Sequence, residues 1–114
     1  MRPSWKKNLQ EVLKHETKEV TLTSPKSGNE YRADVIPTLK VVSTGSVEAT
    51  NDGKFRYSIV DTINDLEYSI KTDNQVDVKF GNVLLFRQVR GGSLESNPTG
   101  WFSAKSVELV KNNA

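Results

Sequence analysis

The chain has 114 residues, of which 35% are hydrophobic and 26% are charged, and its net charge at pH 7 is +2. This length supports one hydrophobic core and is too short for two, so we expect a single domain over 1–114. The sequence has no cysteine and one histidine. It therefore excludes disulfides, thiol nucleophiles and cysteine-ligated metal centres, and it argues against a histidine-based zinc site.

The sequence also gives no sign of membrane insertion. Its longest apolar run, over 83–86, is far below the roughly 20 residues that a membrane-spanning helix requires. Residues 1–7 lead into charged sequence and not into an apolar signal core. We therefore expect no membrane association and a cytoplasmic location.

Apolar spacing near the start of the chain predicts a helix over 4–16. Ser4 lies where an N-cap would, and the apolar residues recur with a period of 3.6. His15 is out of register with these residues, so we expect it to be exposed to solvent. The predicted apolar face consists of Trp5, Leu9, Val12 and Leu13.

From Lys18 the hydrophobic period changes from 3.6 to two residues. Apolar and polar side chains alternate on both sides of a loop that contains Pro25 and Gly28. This pattern predicts a β-hairpin over 18–36, which Pro37 closes. The unpaired edges of this hairpin offer a place where two copies of the chain could join as a homodimer.

Residues 38–110 are predicted to form a series of short strands. Gly45 interrupts the first of them, which indicates a bulge or a sharp bend, with a flexible position within 43–46 as the alternative. The stretch 83–89 is apolar on both faces and is expected to be buried, and the tail at 111–114 is expected to be loose. The predicted strands cover 39–47, 55–59, 66–70, 83–89 and 101–110.

Two turns fix the register of the first three strands. A three-residue loop at 51–53, with Gly53 in the left-handed region, pairs Val47 with Tyr57. The next turn pairs Tyr57 with Ile70, and both registers put the apolar residues on one face. Because a slip of one residue would exchange the faces, this agreement supports the register. The opposite, outward face is predicted to carry Glu48, Lys54, Arg56, Ser58, Ser69 and Lys71.

A bent first strand, a meander and a buried strand together predict a closed five-stranded barrel. Four segments carry a resemblance to oligonucleotide/oligosaccharide-binding (OB) proteins: 39–45 (LKVVSTG), 51–53 (NDG), 79–83 (KFGNV) and 100–104 (GWFSA). Among these the chain most resembles the single-stranded-DNA-binding proteins of bacterial phages, plasmids and conjugative elements. The expected fold is all-β, with an OB-like barrel over 38–110, an extra N-terminal hairpin and a short N-terminal helix. Residues 72–80 alternate as in a turn or strand, where many OB folds carry a helix.

The chemistry-bearing residues do not favour an enzyme. The segment 90–93 lacks the Gly-Lys-Ser/Thr ending of a phosphate-binding loop, and no nucleophile elbow is present. Five acidic residues lack calcium-loop spacing and are expected to be solvated turn carboxylates. We therefore expect no catalytic residue, no cofactor and no metal. The acidic residues are Asp61, Asp65, Glu67, Asp73 and Asp77.

The resemblance implies that nucleic acid binds across the second and third barrel strands and the loops that join strands one and two and strands four and five. Residues 91–100 are predicted to form a long loop that folds over a DNA strand, with Trp101 directly after it. A surface charge network involving Glu48 is the alternative for the basic residues, and a cap on the barrel end is the alternative for Trp101. The predicted phosphate-binding residues are Lys54, Arg56, Lys71, Lys79, Arg87 and Arg90.

Sequence-independent binding of single strands also requires exposed rings on which bases stack. Tyrosine and tryptophan tolerate a wet edge, which favours them for this role. In a regular strand Phe86 and Arg90 point to one side and Arg87 points to the other. Only one of these sides can therefore both stack bases and bind phosphates. The predicted stacking residues are Tyr57, Tyr68, Phe86 and Trp101.

The sequence thus predicts sequence-independent binding of single-stranded DNA in the replication or transfer of a mobile genetic element. One alternative is a protein–protein interaction module of a replication or conjugation complex. Another is an RNA-binding regulator, which would depend on 2′-hydroxyl groups.

Overall fold

A computed structural model of the protein describes residues 8–24, 27–94 and 97–110. Strands account for most of this part of the chain. The elements are α1 (Leu9–Leu13), β1 (Lys18–Thr23), β2 (Glu30–Ala49), β3 (Phe55–Asp61), β4 (Leu66–Thr72), β5 (Val83–Leu94), β6 (Asn97–Ser103) and β7 (Ser106–Leu109).

Five of the strands close into a barrel in the order β2–β3–β4–β6–β5, and β5 pairs back with β2. All neighbouring pairs in the barrel are antiparallel except β4 and β6, which are parallel at Lys71 and Ser103. β1 continues the sheet beyond β2, and β7 pairs with β5. The predicted all-β fold, an OB-like barrel with an extra hairpin and a short helix, is confirmed. The connection over 73–82 contains neither helix nor strand.

The predicted register of the meander is also confirmed. Val47 pairs with Tyr57, and Tyr57 pairs with Ile70. The β2–β3 turn has Gly53 at φ +78°, and the Thr50 N–H donates to the Lys54 carbonyl at 2.8 Å. The three-residue loop therefore forms because glycine tolerates the left-handed conformation that this turn requires.

One strand, β2, serves both the hairpin and the barrel. Pro37 was expected to end the hairpin, but β2 continues through it. Pro37 lies between the pairs Ile36–Val89 and Thr38–Arg87, opposite Gln88, whose φ is +52°. A missing N–H is tolerated at such an irregular position of the ladder, so this proline does not break the strand.

The bend in β2 is built around Gly45, as expected. The register with β3 shifts between Ser43 and Val47, and Gly45 has φ +90°. A Cβ at this position would lie 2.9 Å from the backbone nitrogen of Phe80. Both the positive φ and the close approach require glycine at the bulge.

The helix is much shorter than the predicted span of 4–16. It begins after Asn8, whose side chain accepts a hydrogen bond from the Glu11 N–H at 2.9 Å. It ends at Leu13, because Lys14 adopts the left-handed conformation (φ +59°). Ser4 and Trp5 lie outside the described residues. The buried face of the helix, which joins the barrel core, consists of Leu9, Val12 and Leu13.

His15 and Asp61 form a polar link between the end of this helix and the β3–β4 turn, which corrects the expectation that both are solvated. Asp61 is 1% exposed, and its carboxylate lies 2.6 Å from His15 Nε2. It also accepts hydrogen bonds from the Asn64 side chain (3.1 Å) and the Ile63 N–H (3.1 Å). Burial would raise the pKa of Asp61, but the hydrogen bonds from His15 and Asn64 outweigh burial and lower it.

We predict that Asp61→Asn lowers the unfolding free energy at pH 7 by about 2 kcal/mol, because it removes the charge that His15 and Asn64 stabilise. The pKa of Asp61 is lower in the folded chain than its ordinary value of 3.8. Its contribution is therefore complete above that value and is lost as the pH falls through the folded value. Urea unfolding between pH 7 and pH 2 measures this difference.

The matched control is Asp65→Asn, at an exposed carboxylate of the same turn with φ +55°, a conformation that asparagine also adopts. It should leave stability within about 0.5 kcal/mol of the parent. A stability difference for Asp61→Asn that does not change with acidification would contradict the role given to this carboxylate.

Candidate nucleic-acid interface

Three of the four predicted stacking rings are inside the barrel, so this part of the prediction is wrong. Tyr57 and Phe86 are fully buried and meet edge to face, and the Tyr57 hydroxyl donates to the Asn74 carbonyl at 3.0 Å. Tyr68 is also buried. Burial, and then the charge of Asp61, raises the pKa of Tyr68 and keeps the phenol neutral. These rings lie on the apolar face of the meander, which is the core face.

Trp101 remains accessible, with 42% of its surface exposed. It lies on β6 opposite Gly92 of β5. A Cβ at Gly92 would lie 2.6 Å from the indole Nε1, so the ring covers this glycine. A Cβ at the neighbouring Gly91 would meet the Phe102 ring and the Trp101 carbonyl at 2.7 Å. Gly92 therefore leaves space for the indole, whereas Gly91 leaves space for the Phe102 ring.

These glycines were expected in a ten-residue loop over 91–100, and that expectation is wrong. β5 extends to Leu94 and β6 begins at Asn97, so most of the segment is a β-hairpin. Glycine, asparagine and proline favour loops by their local preferences. Here cross-strand pairing, such as that of Gly92 with Trp101, outweighs those preferences.

Regular alternation along β5 would put Arg87 and Arg90 on opposite sides of the strand, but a local irregularity at Gln88 changes this. Its φ of +52° breaks the alternation, so that Phe86 and Val89 are both fully buried although they are three residues apart. Arg87 and Arg90 therefore both lie on the outside of the barrel. The sequence did not reveal this because the irregular residue is not a glycine.

Three of the six predicted cations lie in one line across the barrel surface. Successive Cα partners on β3, β4, β6 and β5 are Arg56, Lys71, Ser103 and Arg90. None of the four is buried. We call this line the basic row; it crosses the strands and does not run along one of them.

One cation of the basic row, Lys71, forms an ion pair, and its partner is Asp52. Glu48, which the predicted charge network involved, forms no ion pair among the described residues. Lys71 Nζ lies 2.9 Å from Asp52. A hydrogen bond from the Thr50 hydroxyl, and then the bond from Lys71, holds the pKa of Asp52 below its usual range. Arg56 and Arg90 have no ion-pair partner among the residues that the structure describes.

The row ends at a cleft of about 360 Å³ between β2 and the β5–β6 hairpin. Tyr31 and Trp101 line it, and each is about two-fifths exposed. Arg90 also lines it and donates a hydrogen bond to the Tyr31 hydroxyl at 3.1 Å. We call this the aromatic cleft. Its other lining residues are Asn8, Leu9, Ala33, Asp34 and Gly91.

Sequence reasoning missed Tyr31 as a site residue. Its alternation with Ala33 placed it on one face of the hairpin, which was correct. Nothing in the sequence showed that this face meets Arg90, because the contact depends on β2 continuing into the barrel.

The remaining predicted cations are not in the row. Arg87 forms an ion pair with Glu108 of β7 at 2.7 Å, and Lys79 lies in the turn before β5. Lys54 pairs with Asp73 at 3.2 Å and lines a second cavity, of about 250 Å³, together with Arg90. The structure thus brings Lys54, Arg56, Lys71, Arg90 and Trp101 to neighbouring positions, but not Lys79 or Arg87.

Acidic and histidine side chains form no metal-binding group within the described ranges. Apart from Asp61, the acidic residues expected at turns are all exposed: Asp65, Glu67, Asp73 and Asp77. No helix in the part of the chain that the structure covers is long and apolar enough to cross a bilayer.

Comparisons with known proteins identify no relative. The chain matches no protein-family model, no curated protein and no solved structure.

We predict that Gly92→Ala displaces the Trp101 ring, because the new methyl group would overlap the indole. In a Trp5→Phe background, Trp101 fluorescence and near-ultraviolet circular dichroism should both change. Lys40→Ala is the control, since Lys40 is exposed on β2 and does not line the cleft that contains Trp101. Unchanged Trp101 spectra in Gly92→Ala would show that the ring does not cover this glycine.

Proposed function

We propose that the protein binds single-stranded DNA without sequence preference, with phosphates on the basic row and bases in the aromatic cleft. One observation carries the proposal: Arg90 belongs to both surfaces. Its Cα pairs with Ser103 in the row, and its guanidinium contacts Tyr31 in the cleft. A single strand that follows the row therefore reaches two exposed rings.

The exposed rings favour a single strand over a duplex. Bases within a duplex already stack on one another, whereas an unpaired base can stack on Tyr31 or Trp101. Such stacking contributes roughly 1–3 kcal/mol per base and tolerates any sequence, because every base has a π-face.

The cations supply the remaining affinity by releasing counterions from the phosphates. Arg56, Lys71 and Arg90 form the row, and Lys54 shares a cavity with Arg90. If these four side chains neutralise about four phosphates, log K should fall with log salt at a slope of about −3.

We predict that Arg90→Ala weakens binding of a labelled dT oligonucleotide by about tenfold, which corresponds to roughly 1.4 kcal/mol. Arg87→Ala is the matched control: Arg87 lies on the same strand and is exposed, but it pairs with Glu108 outside the row. It should change the affinity by less than about twofold. Fluorescence anisotropy at several salt concentrations measures both affinities and the slope.

Equal effects of the two variants, or an affinity that does not depend on salt, would contradict the proposal. Parallel titrations with poly-U and duplex DNA separate the alternatives. Tighter binding of poly-U would assign the site to RNA. The role in replication or transfer of a mobile element stays a prediction from the resemblance.

A second candidate function, docking of a protein partner, is favoured by Phe80. Its side chain is 85% exposed in the turn before β5. The turn is anchored to β2, because the Gly81 N–H donates to the Ser43 carbonyl at 2.9 Å. The Lys79 N–H also donates to the Asn82 side chain at 2.7 Å. An exposed aromatic ring on a turn whose backbone is held by hydrogen bonds is typical of an interface anchor.

We predict that Phe80→Ser changes the unfolding free energy by less than about 0.5 kcal/mol, because the ring packs on little of the barrel. Its affinity for dT should equal that of the parent protein. Urea unfolding and anisotropy test both statements. A loss of dT binding as large as that of Arg90→Ala would instead make Phe80 part of the DNA site.

A further inference from the structure

The second cavity differs from the aromatic cleft in its chemistry. It is lined by Leu22 and Val35 from the β1–β2 hairpin and by polar side chains from the barrel. The polar groups are cations, a hydroxyl, an amide and one carboxylate. They belong to Lys54, Asp73, Gln88, Arg90, Ser103 and Lys105.

The charges around this cavity leave a local excess of positive charge. Three cations, Lys54, Arg90 and Lys105, face one carboxylate, Asp73, which gives a net charge of +2. Asp73 is occupied by Lys54 at 3.2 Å. Arg90 and Lys105 have no ion-pair partner among the described residues, so both are available to an anion.

Arg90 connects this cavity to the aromatic cleft, because it lines both. A nucleotide whose base stacks on Trp101 can therefore place its phosphate on the other side of the same guanidinium. A backbone phosphodiester carries one negative charge, whereas a terminal phosphate monoester carries about −1.5 to −2 at pH 7. The monoester matches the net charge of the cavity.

We propose that this cavity binds a terminal phosphate of single-stranded DNA, so that the protein recognises phosphorylated strand ends. This inference rests on the proposed function. The Lys105 ammonium, the Arg90 guanidinium and the Ser103 hydroxyl supply donors to the phosphate oxygens. The base next to that phosphate stacks in the aromatic cleft.

The test compares short dT oligonucleotides of equal length that carry a 5′-phosphate, a 3′-phosphate or only hydroxyl ends. The parent protein should bind one of the phosphorylated forms at least about fivefold tighter than the hydroxyl form. Lys105→Ala should reduce this ratio to near one and leave the affinity for the hydroxyl form within about twofold. Lys40→Ala, at an exposed lysine of β2 outside the cavity, should keep the ratio.

Asp73→Asn provides a test of opposite sign. It releases Lys54 from its carboxylate partner and raises the net charge of the cavity to +3, so the ratio should increase. A ratio near one in the parent, or no change in Asp73→Asn, would overturn the inference.

Titration of the free protein with inorganic phosphate, followed by amide chemical shifts, separates this inference from the proposed function. Shifts at Ser103, Ala104 and Lys105 support an anion site in the cavity, and their absence refutes it. Equal binding of all dT forms overturns the terminal-phosphate inference and keeps the proposed function. Failure of every dT form to bind overturns both, even if phosphate itself shifts these amides.

Discussion

The proposed site depends on β2 being one uninterrupted strand. Its first part pairs with β1, its middle with β5 and its last part with β3. Because the backbone is continuous from the hairpin into the barrel, the pairing with β5 also positions Tyr31 against Arg90. Two local irregularities make this path feasible: the bulge at Gly45 bends the strand, and the position opposite Gln88 accommodates Pro37.

Closure of the barrel is the second constraint, because it determines which aromatic rings and charged side chains are exposed to a ligand. The side chains of Tyr57 and Phe86 point into the barrel core, so those rings stabilise the fold and cannot stack on a base. Trp101 lies over Gly92 on the outside of the barrel and keeps 42% of its surface exposed. Parallel pairing of β4 with β6 brings Lys71 and Arg90 to either side of Ser103, although they are far apart in sequence.

The sequence predicted what local rules determine and missed what distant contacts determine. The pairing of Val47 with Tyr57 followed from a three-residue turn and from alternation, both of which are local. The pairing of His15 with Asp61 joins residues 46 positions apart, and no pattern near either residue indicates it. The loop predicted around Gly92 failed for a different reason: its strand partner, Trp101, lies in the same hairpin, but glycine, asparagine and proline favour loops by their local preferences. Of the predicted cations, alternation identified Arg56 and Lys71, but only the closed barrel aligns them with Arg90.

In the proposed function, one face of the barrel, from β3 across β4 and β6 to β5, receives a single strand. An amide chemical-shift titration of the protein with an unlabelled dT oligonucleotide tests it most directly. The largest shifts should occur at Lys71, at 90–92 and at 101–103, with further shifts near Tyr31. Shifts centred instead on the β2–β5–β7 surface around 38–40 and 106–109, or no shifts at saturating DNA, would contradict it.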